Sequence, residues 1–309
     1  MQTLVFNIII VFLLADYALE RMLELLNSRW RGHPPPVELI GLYAPEKYQK
    51  QQRYQVTTTQ FGWITSTFSL VLVLGFLLFD GFAWVHQLAV QLSTHEIVQA
   101  LIFFGVLLLA QDIIGIPFAL YRTFVIEQRF GFNTMIIRTF VTDKIKGWIL
   151  GALIGGVVLA GIAWFYYQTR EMFWVYAWLT LSGFSLFFSM FYSTLIVPLF
   201  NRQTRLEDGE LKSAIETFAA RVAFPVRDIY VLDGSKRSSK ANAYFSGLGG
   251  KKRIVLFDTL IADLTPQEVV AVLAHEIGHF KKKHTMQGLV LSILQTGIIF
   301  YLLALFLEH

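Results

Sequence analysis

The 309-residue sequence contains no cysteine. Disulfides, thiolate metal sites and cysteine nucleophiles are therefore excluded, and any transition metal must be held by His and carboxylate side chains. Charge is also scarce. Asp, Glu, Lys and Arg make up 16% of the chain, against about 25% in a soluble domain. With 55% hydrophobic residues and a mean hydropathy of +0.53, this shortage points to a membrane protein before any motif is read. The net charge of +4 and pI near 9.2 fit basic residues gathered on the cytoplasmic side of a membrane better than a nucleic-acid partner. The apolar stretch Leu4–Leu14 lacks a basic flank and a small-residue cleavage site, so it reads as a retained helix rather than a cleaved signal peptide. There is no internal repeat and no low-complexity tract.

Six long apolar stretches are present, roughly Thr3–Leu25, Phe61–Phe82, Ile97–Tyr121, Gly147–Tyr167, Phe173–Phe200 and Met286–Leu307. Each approaches or exceeds the ~20 residues needed to cross a hydrocarbon core. The first is mixed, because Asp16, Glu20, Arg21 and Glu24 make its second half a helix that leaves the bilayer. The loop 26–60 carries Arg29, Arg31, Lys47, Lys50 and Arg53, and the loop 122–146 carries Arg122, Arg129, Arg138, Lys144 and Lys146. The loop 80–96 carries no Lys or Arg, and that near Tyr167–Met172 only Arg170. The positive-inside rule then puts the N-terminus outside and the segment after the fifth stretch inside.

Segment 201–283 differs in kind, holding 14 of the 26 Lys and Arg and no spanning run. It reads as a small water-facing α+β domain. Leu211–Val222 has a helical apolar stripe; Asp228–Leu232, Ala241–Ser246 and Arg253–Phe257 are β-prone, with Gly247, Gly249 and Gly250 turning between the last two. Thr265-Pro266-Gln267-Glu268 is a helix start with a capping box and proline at the first helical position, and the helix is expected to run to about Lys283.

Within that helix lies His275-Glu276-Ile277-Gly278-His279. Histidines at i and i+4 share a face about one turn apart, so both imidazoles can reach one zinc ion. Glu276 stands about 100° from His275, beside the metal, where it can take a proton from zinc-activated water and return it to the leaving amine. The plain alternative is two histidines on a solvated face. Gly278 costs about 1 kcal/mol relative to Ala in a helix; a close backbone or substrate approach, or nothing, explains it.

The stretches Glu127–Asn133 with Asp143, Pro198–Arg202, Arg237–Gly247, Lys252–Leu260 and Ala271–His284 together resemble the type I CAAX prenyl endopeptidases, the Ste24-like zinc metallopeptidases of family M48. The resemblance implies seven membrane helices around a water-filled chamber with the zinc site facing it. It also implies peptide substrates, in eukaryotes including isoprenylated CAAX ends. Asn242, Ala243, Tyr244 and Phe245 resemble the edge strand that pairs with the substrate backbone, an interaction main-chain hydrogen bonds can sustain; an internal hairpin strand is the alternative. Tyr244 and Phe245 point to opposite faces, one inward and one available to substrate.

The sequence departs from the family at its end. The resemblance implies a third ligand, a Glu on a helix after the seventh span, and therefore beyond His309. Glu308 is about 29 residues past His279, roughly 43 Å along a continuous helix. Asp258, Asp263 and Glu268 lie upstream, with no spacing argument selecting one. The reading is of a chain truncated at its C-terminus, naturally or by engineering, with Leu307-Glu308-His309 open to being a tag remnant, and of a fragment that binds zinc weakly and cleaves peptides poorly.

The expected fold is thus an α-helical multi-pass membrane protein with a small zincin-like α+β metallopeptidase domain. Residues 1–200 are the five-helix membrane region, 201–285 the cytoplasmic metallopeptidase domain and 286–309 the sixth span. One Zn2+ per chain, a peptide or protein substrate (isoprenylated or not), membrane lipid and no nucleic acid are the expected partners. The membrane is the bacterial inner membrane in a bacterium, where membrane-protein quality control is the close variant, and the endoplasmic reticulum or nuclear membrane in a eukaryote. A transporter or scaffold with a vestigial His pair is the competing class. Asp112, within the third stretch, is assigned to structural pairing or a hydrated chamber. Asp143 and Arg138 are expected to organise the domain, and His284 to stand behind the ligands or on the surface. His33, before Pro34-Pro35-Pro36, is given no chemistry. Lys281–Lys283 favour the helix dipole and mark the membrane boundary.

Overall fold

A computed structural model describes the chain except residues 1, 32, 35–36, 38–40, 42–43, 225–227, 247–252 and 308–309. The side chains of 2, 3, 170, 246 and 307 are also outside the description. The expected turn at Gly247, Gly249 and Gly250, the Glu308 carboxylate and most of the proline run therefore lie outside the described residues. The chain forms two compact units, Met1–Leu92 with Val106–Phe130, and Ser93–Gly105 with Gly131–His309.

The first unit is built from α1 (Gln2–Ser28), α2 (Pro45–Leu78), α3 (Gly81–Leu92) and most of α4 (Glu96–Tyr121), which continues into a π-helical turn at Arg122–Glu127. The charged second half of α1 makes local polar contacts. Arg21 pairs with Glu24 at 2.9 Å, the Trp63 indole donates to Glu24, and the Tyr17 hydroxyl lies 2.6 Å from Thr67 Oγ1. The stretch read as a loop after α2 is in fact helical. Asp80, at φ 55, reverses the chain, a conformation Asp tolerates better than most residues. Val85 and Ala89, one turn apart on α3, are then fully buried.

The second unit contains α5 (Ile137–Leu150), a π-helical turn at Gly151–Gly155, α6 (Gly156–Thr169), α7 (Phe173–Leu195) and the short α8 (Val197–Phe200). Next come β1 (Gln203–Arg205), α9 (Glu210–Arg221), β2 (Asp228–Leu232), β3 (Ala243–Ser246), β4 (Arg253–Phe257), α10 (Asp258–Asp263), α11 (Pro266–Lys281) and α12 (His284–Leu307). α7 and α12 pack closely. The Trp178 indole donates to Ile293 O at 2.8 Å, and a Cβ on Gly297 would come within 3.1 Å of that indole nitrogen.

Among the described residues, five helices are long and apolar enough to cross a membrane: Pro45–Leu78, Glu96–Glu127, Ile137–Thr169, Phe173–Phe200 and His284–Phe306. The sequence reading expects six. The difference is at α1, where Asp16, Glu20, Arg21 and Glu24 interrupt the apolar run. Side chains along the spans are widely exposed, Leu108 at 63% and Leu291 at 65% among them, as surfaces facing lipid should be. The class is that expected, a helical multi-pass membrane protein with a small α+β domain.

The sheet order is β1-β2-β4-β3, with β2 and β4 parallel and the two outer pairings antiparallel. β4 is central, and Ile254, Val255 and Leu256 are all buried. That continuous apolar run, rather than an alternation, is the mark of a strand covered on both faces. Ile229, Ala243, Ile254 and Leu256 form one core with Ile215 of α9, Leu260 of α10, and Val269 and Leu273 of α11. Burying a Val, Leu or Ile side chain contributes about 1.5–3 kcal/mol, so this core seats α11 firmly on the sheet. β1 and α10 were not anticipated, being too short to show a period.

Candidate active site

α11 starts at a complete capping box. Thr265 Oγ1 accepts from Glu268 N–H at 3.4 Å, and Glu268 Oε2 accepts from Thr265 N–H at 2.8 Å. The helix ends at Lys281, two residues short of the expected Lys283, with Lys282 as its cap. Its buried stripe is Val269, Leu273 and Ile277. His275 follows Leu273 by two residues, about 200° round the helix, and so points away from the core. His275 and His279 are exposed and Glu276, on the flank, is half-buried.

The two imidazoles face each other through the same nitrogen. His275 Nε2 lies 3.0 Å from His279 Nε2, with the rings 4.7 Å apart at 66°. Zinc–imidazole bonds are ~2.0–2.1 Å long, so nitrogens this close can both reach one ion, and a pair of neutral imidazoles suits zinc. The pair therefore fits the metal. Among the described residues, no group of three or more His, Asp or Glu converges on a metal position. Two of the upstream candidates are engaged elsewhere. Asp258 accepts from Ser235 N–H and Thr259 N–H at 2.8 Å each, and Glu268 is held in the capping box.

β3 lies at the sheet edge, paired with β4 through Ala243↔Leu256, Tyr244↔Val255 and Phe245↔Ile254. Asn242 precedes the strand, is exposed, and starts the pairing by accepting from Phe257 N–H at 3.0 Å. Ala243 is buried. Phe245 is the inward residue, packed against the core and 5.3 Å from the Phe224 ring. Phe224 in turn meets Phe280 of α11 at 5.2 Å, so three aromatic rings join β3 to the His-bearing helix. Tyr244 takes the other face, its hydroxyl 3.3 Å from Ser193 Oγ in α7. Burial lifts the Tyr244 phenol above the ordinary tyrosine range; the Ser193 hydrogen bond opposes that lift and Tyr192 adds to it.

A polar clamp ties this domain to the helices of its own unit. Arg237 grips Asp143 of α5 with two hydrogen bonds and also donates to Phe200 O and Asn201 Oδ1. Asn201 donates to Asp233 Oδ1 at 2.9 Å. The segment after the first unit joins in: Ser239 N–H donates to Phe132 O at 3.0 Å and Asn133 bridges to Ser238. Asp143 was expected to organise the domain and does. Arg237, Ser193, Phe224 and Phe280 were not singled out. Arg237 stands in a quoted motif, but its partner is 94 residues away and no local signal joins them.

A chain of membrane-spanning helices bearing a paired-histidine helix against a small mixed sheet defines a class, the integral-membrane metalloendopeptidases. Residues 24–202 match the family described as CAAX prenyl protease N-terminal, five membrane helices, and residues 205–309 match peptidase family M48. The chain belongs to family M48, with the CAAX prenyl proteases. It is similar to the CAAX prenyl protease 1 homolog of Oryza sativa subsp. japonica, 34% identical over 302 residues that cover 94% of this chain and 71% of the relative. It is also similar to CAAX prenyl protease 1 of Saccharomyces cerevisiae, 37% identical over 279 residues that cover 87% of this chain and 61% of the relative. The crystal structure of S. mikatae Ste24p superimposes with a TM-score of 0.90 at 37% identity, covering 96% of this chain and 72% of that one. The family is one of zinc metallopeptidases.

Proposed function

We propose that this chain hydrolyses peptide bonds near the C-terminus of membrane-associated polypeptides, with prenylated CAAX ends as its substrate class. One zinc ion is held by His275 and His279. The relatives' names motivate the substrate, and the facing Nε2 atoms of His275 and His279, 3.0 Å apart on α11, carry the catalytic reading. When bound, zinc supplies a Lewis acid that makes water nucleophilic near neutral pH.

The protein's own groups do the rest. Glu276, one residue on from His275 and half-buried on the flank, takes the proton of the attacking water and passes it to the leaving amine. The outer edge of β3, unpaired among the described residues, together with the preceding Asn242, pairs with extended substrate through main-chain hydrogen bonds. The rigid seat of α11 on the core holds the histidines and the base in register. Residues 1–200 form the membrane region, 201–285 the metallopeptidase domain on the cytoplasmic face and 286–309 a further span.

Glu276→Gln in the full-length protein tests this. Cleavage of a farnesylated C-terminal peptide is expected to fall by about 10²–10⁴-fold while zinc content is retained. Cleavage that survives the substitution overturns the mechanism. Equal turnover of farnesylated and unmodified peptides moves the substrate class to membrane proteins in general.

A further inference from the structure

His284 opens α12, and its ring turns back onto the helix before it. His284 Nδ1 lies 2.8 Å from His279 Nδ1, with the rings 4.9 Å apart at 75°. The backbone makes this possible. α11 stops at Lys281, Lys282 is helical, and Lys283 adopts the left-handed conformation at φ 56. Lys283 N–H closes the turn on Phe280 O at 2.9 Å, and Gln287 N–H on Lys283 O at 2.9 Å starts α12. A residue five positions beyond His279 on an unbroken helix would have rotated off its face; the single left-handed residue returns it.

The two nitrogens of His279 therefore have different neighbours. Nε2 faces His275, and Nδ1 faces His284. An imidazole that gives its Nε2 lone pair to a metal keeps its ring proton on Nδ1, where it must be a donor. His284 Nδ1 is placed to accept it, with the His284 proton on Nε2. Metal-bound histidines ordinarily make such a bond to a carboxylate, a backbone carbonyl or water. Here the acceptor is a third imidazole, and that imidazole begins a membrane-capable helix.

We propose that His284 is a positioning residue for the metal: by accepting a hydrogen bond from His279 Nδ1 it fixes the tautomer and orientation of that ligand and couples its placement to α12. This rests on the reading of His275 and His279 as ligands. It does not make His284 a ligand, since the three rings do not converge on one position.

The test is the zinc dissociation constant of the full-length protein in detergent, measured by chelator competition. His284→Ala and His284→Phe are each expected to weaken zinc binding by about 10–100-fold. His284→Asn, whose Oδ1 stands near the position of Nδ1, should recover most of the loss. The melting temperature of the zinc-free protein should be the same for the Asn and Phe variants. If the Phe variant binds zinc as the wild type does, or Asn is no better than Phe, the hydrogen bond has no such role. His275→Ala is the control for the underlying reading. If that variant retains zinc, the ligand assignment falls; if it loses zinc while His284→Phe does not, only the positioning role falls.

Discussion

Arg237 meets Asp143 through two side-by-side hydrogen bonds, Nε to Oδ2 at 2.7 Å and Nη2 to Oδ1 at 2.9 Å. The side chains are each about 20% exposed. One residue follows the short turn after β2 and the other sits in α5, so the pair joins the sheet domain to a membrane-capable helix. Two of the three remaining guanidinium hydrogens go to Phe200 O and Asn201 Oδ1, so four of its five donors are used despite partial burial.

Removing one partner strands the other. Arg237→Ala and Asp143→Asn are each expected to cost about 2–4 kcal/mol, somewhat below the range for a fully buried pair. Arg237→Lys should recover less than half, because an ammonium cannot span both oxygens. Denaturant unfolding in detergent measures this. Additive losses in the Arg237→Ala/Asp143→Asn double variant would show that the pair is not coupled.

The capping box predicts how the His-bearing helix responds to acid. Hydrogen bonds from the Thr265 backbone N–H and then its hydroxyl hold the Glu268 carboxyl below the ordinary glutamate range. A carboxyl whose folded pKa is depressed contributes stability above its unfolded pKa, and that contribution is lost as pH falls through the folded value. Protection from hydrogen exchange at the first turn of α11, relative to the intrinsic rate at each pH, should therefore fall on acidification through the carboxylate range. Glu268→Gln should be less protected at neutral pH and show a flatter acid response. Thr265→Ala should cost about 1 kcal/mol.

Gly278 separates stability from turnover. A Cβ there would meet nothing within 4 Å, so no packing among the described residues calls for glycine. Gly278→Ala is expected to stabilise α11 by about 0.5–1 kcal/mol and to leave zinc affinity unchanged. The methyl group would stand on the exposed face beside both imidazoles, so peptide cleavage should fall about tenfold or more through misplaced substrate. Unchanged kcat/KM would show that substrate does not use this space.

Much of the fold was legible because its signals are local. The spans declare themselves by length and apolarity, and the capping box and histidine spacing fall within a few residues of one another. β2 and β4 began and ended where their Val, Ile and Leu content placed them. What was not legible was short or distant. β1 and α10 run three and six residues, below any period, and α3 became a helix through burial of Val85 and Ala89. The phenylalanine trio of Phe224, Phe245 and Phe280 has no spacing in the sequence, and only the fold brings the rings together.

By itself, the sequence determined that the chain lives in a membrane and that two imidazoles one helical turn apart stand beside a carboxylate, because hydropathy and helical spacing depend on near neighbours alone. The tertiary structure decided what surrounds them. Asp143 found Arg237 across 94 residues, Tyr244 found Ser193 on α7, and one left-handed lysine brought His284 back to His279. Such contacts arise from how the chain turns and packs in three dimensions, and a one-dimensional period carries no record of it.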